Sequence, residues 1–167
     1  MKPLALRTYP DSCLRVKTKK VKQFSAEIRE KARAMTAIMY AKQGIGLAAT
    51  QAGMGIRMAV VDTGDNLMTL INPEILVRSR EKDTMEEGCL SLPGVCVTMK
   101  RSSEIEVRAY DLNGTVFTKK FKDLEAIAIQ HEVDHLNGKL IIDYLSPLAR
   151  FIAVRKLMRA SRTGEKL

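Results

Sequence analysis

Residues 130–138, Gln-His-Glu-Val-Asp-His-Leu-Asn-Gly, constrain this chain more than any other stretch. They contain the pattern His-Glu-x-x-His. Residues four apart on a helix share a face, so His131 and His135 can grip one metal ion. Glu132 then stands beside the ion, positioned as a general base. The chain has two histidines, and both are here. The competing reading is a surface helix that happens to carry them. The metal reading demands more of the fold: a helix through this stretch and a third ligand brought to it from elsewhere.

Catalytic sites of this type use three protein ligands and leave one position open. No third histidine exists. Beyond His135 the acidic residues are Asp143 and Glu165, and neither lies on an obvious second helix at the spacing one metallopeptidase group uses. A cysteine thiolate is the better candidate. Cys89 lies in Glu86-Glu87-Gly88-Cys89-Leu90-Ser91-Leu92-Pro93-Gly94, a polar, turn-rich segment where a metal would lower its pKa. Cys96 sits in an apolar Val-Cys-Val run and is expected to be packed. Cys13 is remote, in a basic arm.

The rest of the chain is read for what surrounds this helix. Asp123 is expected to cap it and Gly138 to close it, with Leu124, Ile127, Ala128, His131 and His135 on one face. Residues 1–24 read as an irregular arm. Ser25 is expected to cap a helix that runs to Tyr40 and ends at Gly44. Residues 44–55 are rich in glycine and small side chains, which suits close approach of a ligand or strand. The match to a dinucleotide fingerprint there is superficial, because the stretch follows a helix and not a strand. Short strands are expected at 57–62 and 68–72 around a turn at Gly64-Asp65-Asn66. Pro73 is expected to interrupt, with a further strand at 75–80. Residues 104–121 read as a hairpin turning at Asn113-Gly114. A basic amphipathic helix is expected over 147–161, starting at Ser146-Pro147. The mix predicts an α+β fold, mostly antiparallel sheets around a central metal-binding helix, with a C-terminal helix, forming one domain over 1–167.

Composition excludes little beyond membranes and disulfide scaffolds. No apolar run approaches membrane-spanning length, the start of the chain lacks a signal-peptide core, and three scattered cysteines make no disulfide framework. The chain is therefore read as cytoplasmic. Net charge is +9, with seven Lys/Arg against one acid in residues 1–24 and six against one in residues 150–167. Basic ends around a near-neutral middle suit a polyanionic neighbour, or only solubility.

Three stretches resemble the peptide deformylase family: Gly44-Ile45-Gly46-Leu47-Ala48-Ala49-Thr50-Gln51, Glu87-Gly88-Cys89-Leu90-Ser91, and Gln130-His131-Glu132-Val133-Asp134-His135. The exit Asp143-Tyr144-Leu145-Ser146-Pro147 is similar as well, and the likeness covers roughly residues 3–150. It implies an enzyme that removes the formyl group from N-terminal formyl-methionine of newly made polypeptides. It implies Cys89, His131 and His135 as metal ligands, Glu132 as acid and base, and Gln51 with the Leu90 N–H as oxyanion donors. The divalent ion implied is Fe(II), with zinc, nickel or cobalt as substitutes; the histidine pattern alone would have suggested zinc. Substrate would meet Ile45, Gly46, Met85, Glu87, Gly88, Leu124, Ile127 and Ala128, with Asp134, Glu87 and Arg101 behind the ligands. One departure is Cys96, at a position where many bacterial members carry an arginine or an aromatic residue. Two rival readings stand beside this one. One is a metallopeptidase cutting internal bonds; the other is a basic binding module with a structural metal. The basic C-terminal helix is a candidate contact with ribosomal RNA.

Overall fold

The structure, a computed structural model, describes residues 4–64 and 66–163. Asp65, expected in the first turn, and the outermost residues of both basic ends lie outside the described residues. In chain order the elements are α1 (Ala26–Ala41), β1 (Gly46–Ala48), β2 (Met58–Val61), β3 (Met68–Arg78), β4 (Lys82–Gly88), β5 (Cys96–Ser102), β6 (Glu104–Tyr110), β7 (Val116–Lys122), α2 (Asp123–Leu136) and α3 (Pro147–Thr163). Five strands form one sheet in the order β1-β2-β3-β6-β7, while β4 and β5 form a separate two-stranded ribbon. Every pairing between these strands is antiparallel. The fold is α+β with α2 at its centre.

The burial patterns explain the layering. All four residues of β2 are buried, because its two faces meet different helices. Met58 and Val60 pack with Ile28, Ala32, Met35 and Met39 of α1. Val61 faces the other way, with Phe121 of β7 and with Ala126, Ile129 and Val133 of α2. A strand covered on both sides reads as continuous hydrophobic sequence, and Met-Ala-Val-Val does. α2 is buried almost all round, as a helix enclosed by a core should be. Its neighbours include β1, β2, β5 and β7. A third cluster joins the ribbon to the C-terminal part of the chain through Val97, Met99, Leu140, Ile142 and Leu157.

Several expectations need correction. Pro73 does not end a strand: β3 runs through it, with register shifts on either side of Glu74 and Ile75 and with Asn72 at φ 53°. A bulge accommodates the residue that cannot donate to a ladder. Asn72 holds the arm there, donating from Nδ2 to Val21 O and accepting from Val21 N, both at 2.8 Å. Asp123 does not cap α2. It is the first helical residue, at φ 50°, and Lys122 holds the cap position. Ser25 occupies the cap of α1 without a side-chain hydrogen bond. The left-handed residue closing α1 is Gln43, at φ 54°, and the Gly44 N–H returns to Met39 O at 2.9 Å. Cys96 is exposed, not packed. Along β5 the alternation puts Val97, Met99 and Arg101 inside, so Cys96 falls on the outer face. Gly138, at φ 74°, closes α2 as expected.

Candidate metal centre and active site

α2 delivers His131, Glu132 and His135 along one face, and β4 ends one residue short of Cys89. The Cys89 Sγ lies 3.2 Å from His135 Nε2, which lies 3.2 Å from His131 Nε2. All three atoms fall within 4.8 Å of one another. A thiolate and two imidazoles are a soft-to-borderline set suited to iron, zinc, cobalt or nickel and not to magnesium or calcium. Two buried atoms beside the cluster, Glu132 Oε2 and His135 Nδ1, have no hydrogen-bond partner among the described residues. An unpaired carboxylate oxygen is costly inside a protein, so Glu132 Oε2 points to a group that the site takes up; His135 Nδ1 is across the ring from the Nε2 that faces the cluster. The residues fit a transition-metal ion.

A chain of partners fixes His131. His131 Nδ1 lies 2.9 Å from Glu87 Oε2. Glu87 in turn receives Arg101 Nε on Oε1 at 2.7 Å and the second guanidinium nitrogen on Oε2 at 2.9 Å. Arg101 also donates to Asp134 Oδ2 at 2.5 Å. Burial would raise the Glu87 carboxyl, but Arg101 and His131 outweigh it and hold it at about 2. Burial would likewise lower His131, and hydrogen bonds with Cys89 and Glu87 instead hold it well above the usual imidazole value. His135 goes the other way, pushed down by burial and by the neighbouring His131 charge. Glu132 is buried and its carboxyl is raised to about 7, by loss of water first, with His131 and the Ala48 amide opposing. A carboxyl that titrates near neutrality can both take up and return a proton.

Gln51 comes from the 3-10 turn at Ala49–Ala52. Its Oε1 accepts from Ala48 N at 2.8 Å, which aims Nε2 toward Ser91 Oγ at 3.2 Å and Cys89 Sγ at 3.6 Å. The Leu90 N–H makes no backbone hydrogen bond among the described residues. Beside these groups opens a cavity of about 400 Å³. Ile127 and Ala128 are its buried floor, one turn before His131, while Ile45, Met85 and Leu124 form a half-exposed mouth. Gly46, Glu87 and Gly88 also line it. Every substrate-contact residue expected from the sequence thus meets one cavity. Tyr144 was not foreseen near the site; its hydroxyl donates to Asp134 Oδ2 at 2.8 Å. Only its place in the Asp-Tyr-Leu-Ser-Pro exit hinted at it.

The sequence model of one family, polypeptide deformylase, matches residues 3–151. The chain belongs to the polypeptide deformylase family. Among relatives, a peptide deformylase of Baumannia cicadellinicola subsp. Homalodisca coagulata is 44% identical over 97% of this chain and 98% of its own length. Peptide deformylase 1 of Shewanella oneidensis is 41% identical, over 98% of each chain. Among solved structures, a peptide deformylase from Legionella pneumophila superposes with a TM-score of 0.90 at 37% identity, covering 96% of both chains. One from Ehrlichia chaffeensis, in complex with actinonin, superposes at 0.92 with 34% identity, covering 97% of this chain and 99% of its own. Peptide deformylases are metal-dependent hydrolases that remove the formyl group from N-terminal methionine, and this chain is an enzyme of that kind. Neither the internal metallopeptidase nor the non-catalytic binding module finds support in these likenesses. No helix among the described residues is long and apolar enough to cross a membrane.

Proposed function

We propose that one catalytic domain over 1–167 carries out deformylation with Cys89, His131 and His135 holding a single divalent ion, Fe(II) in its native form and zinc, nickel or cobalt as substitutes. The observation that carries this reading is the convergence of the three donor atoms beside the buried Glu132, whose Oε2 has no partner among the described residues. The ion supplies Lewis-acid polarisation of water and of the formyl oxygen. Glu132 takes a proton from the attacking water and later delivers it to the departing amine nitrogen. Its raised pKa suits both halves of that cycle. Gln51 Nε2 and the Leu90 N–H donate to the oxygen on which negative charge grows; one such donor is typically worth about 3 kcal/mol. Formate and a free methionyl N-terminus are released.

Specificity follows from the cavity. Ile127, Ala128 and Leu124 take an unbranched apolar side chain of methionine size, with Ile45 and Met85 closing over it. Glu87 and Gly88 form the wall beside the ligands. The peptide backbone runs along Ile45–Gly46 as an added strand on the edge that β1 leaves open. The substrate is the formyl-methionyl end of a nascent polypeptide, met in the cytoplasm. The basic α3 serves as a contact with ribosomal RNA; deleting residues 150–167 should weaken ribosome co-sedimentation in a salt-dependent way.

The test of the central reading is Glu132→Gln. The variant should keep one equivalent of metal and lose formate release from a formyl-Met peptide by at least about 10²-fold. Formate release at the wild-type rate would overturn the assigned roles.

A further inference from the structure

Arg101 is one of the few cations buried in this fold, and it is a hub. It points inward because alternate residues of β5 do, and a guanidinium there is tolerable only if paired. Its partners account for it on both sides. Glu87 takes two of its N–H groups and passes its remaining capacity to His131 Nδ1. Asp134 takes a third, and Asp134 Oδ2 also accepts the Tyr144 hydroxyl. Tyr144 comes from the 3-10 turn at Ile141–Tyr144 that follows α2. It approaches the guanidinium in two ways, since its ring centre lies 5.6 Å from Arg101 Cζ. A continuous chain of hydrogen bonds therefore runs from Tyr144, which is 50% exposed, through Asp134, Arg101 and Glu87 to His131.

We propose that Tyr144 is a positioning residue for the deformylation reaction: its hydroxyl locks Asp134 onto Arg101, and through Glu87 this fixes the ring of His131. The inference rests on His131 being a metal ligand. The physical argument is one of rotamers. Asp134 sits at the outer edge of α2, where a carboxylate with a single donor is free to turn toward water. With the phenol in place its oxygen is held from two directions. Arg101 then keeps its fork square to Glu87, and the Glu87 oxygen facing His131 cannot swing. Partners of this kind set the orientation of a ligating imidazole. A plain structural role would be different: the half-exposed ring would merely cover Arg101, and the hydroxyl would not matter.

Tyr144→Phe separates these roles, because it keeps the ring and removes the hydroxyl. The measurement is the Ni(II) dissociation constant of the full chain, by competition with a chromophoric chelator. Direct partners of a ligand, here Glu87, typically cost 10–100-fold when lost; Tyr144 stands three links beyond Glu87, so losing its hydroxyl should cost about 3-fold. Asp134→Asn should weaken Ni(II) binding to a similar degree, and the double variant no more than the weaker single variant, since both cut one chain. The metal-free Tyr144→Phe protein should unfold at the wild-type temperature. Wild-type Ni(II) affinity in Tyr144→Phe, or additive losses in the double variant, would overturn the positioning role. His131→Ala is run alongside. If that variant still holds one tight equivalent of Ni(II), the ligand reading fails and this inference with it. If it loses the ion while Tyr144→Phe binds normally, the positioning role alone is lost.

Discussion

Gly46 and Glu132 are packed so closely that a methyl group on residue 46 would lie 2.4 Å from Glu132 Oε1. The glycine at the edge of β1 is therefore what lets the carboxylate lie where it does. A side chain at residue 46 can be admitted only by moving the glutamate.

Gly46→Ala should lower kcat/KM for a formyl-Met peptide by about 10²-fold, the size expected when a catalytic group is displaced by an ångström or so. Metal content should stay at the wild-type level, because the atoms nearest a side chain at residue 46 all belong to Glu132 and not to a ligand. Steady-state kinetics with metal analysis on the same sample makes the check, and undiminished activity would contradict it.

Arg101→Leu should be one of the most destabilising single changes in the chain. It leaves the buried Glu87 and the partly buried Asp134 as carboxylates without their cation. Breaking a buried pair this way costs about 3–5 kcal/mol. For a chain of this size that is a fall in Tm of roughly 6–20 °C. Calorimetry that found the Tm unmoved would show that Arg101 is not the hub described above.

Asp143 predicts part of the acid sensitivity of the fold. Its carboxylate accepts from Leu140 N at 2.9 Å and pairs with Arg15 and, at 3.1 Å, with Arg150. Burial raises its pKa, but these partners outweigh it and the net shift is downward from 3.8. A carboxyl with a depressed folded pKa contributes stability above its unfolded pKa and loses it as pH falls through the folded one. Asp143→Asn keeps an oxygen for Leu140 N but loses the charge paired with Arg15 and Arg150, and should therefore cost about 0.5–1 kcal/mol at pH 7. The difference from wild type should shrink below pH 4 or so. Urea unfolding at pH 7 and pH 3 tests the sign; an equal difference at both would count against it.

The cysteines should react in a fixed order. Cys96 is exposed. Cys13 donates its thiol to Thr50 O at 3.3 Å, and burial with Asp11 nearby pushes it up to about 12. A thiolate is the reactive form. In metal-loaded protein a disulfide reagent at pH 8 should label Cys96 within minutes and Cys13 only after denaturation. Cys96→Ser should deformylate within about twofold of wild type, because Cys96 is exposed and is not among the residues lining the cavity. Fast native labelling of Cys13 would refute the ordering.

Much of this was legible in the sequence because the informative signals are local. His-Glu-x-x-His within an apolar 3.6-residue period defines α2, and Asn113-Gly114 between alternating residues defines the β6–β7 hairpin. The β4–β5 ribbon was not legible. β4 reads Lys-Asp-Thr-Met-Glu-Glu-Gly, a polar strand with little β preference, and only pairing with β5 makes it a strand. The exposure of Cys96 escaped for a related reason: a run of apolar residues does not reveal which alternate set faces inward until the pairing is known. Pro73 was misread because a bulge is a tertiary solution to a local rule. Tyr144 could not be assigned at all, since Arg101 and Asp134, its partners, come from different elements.

The placement of Cys89 on the loop after the β4 strand, and of the histidines on α2, has a mechanical consequence. An ion bound by both would cross-link the ribbon to the central helix and close a long loop of chain containing β5, β6, β7 and most of α2. Like a disulfide, such a clasp narrows the unfolded ensemble more than the folded one. Unlike a disulfide, it comes undone when the ion leaves. The enzyme would then be held shut by the same atom it uses for chemistry, so oxidation or loss of the metal would loosen the molecule as well as silence it.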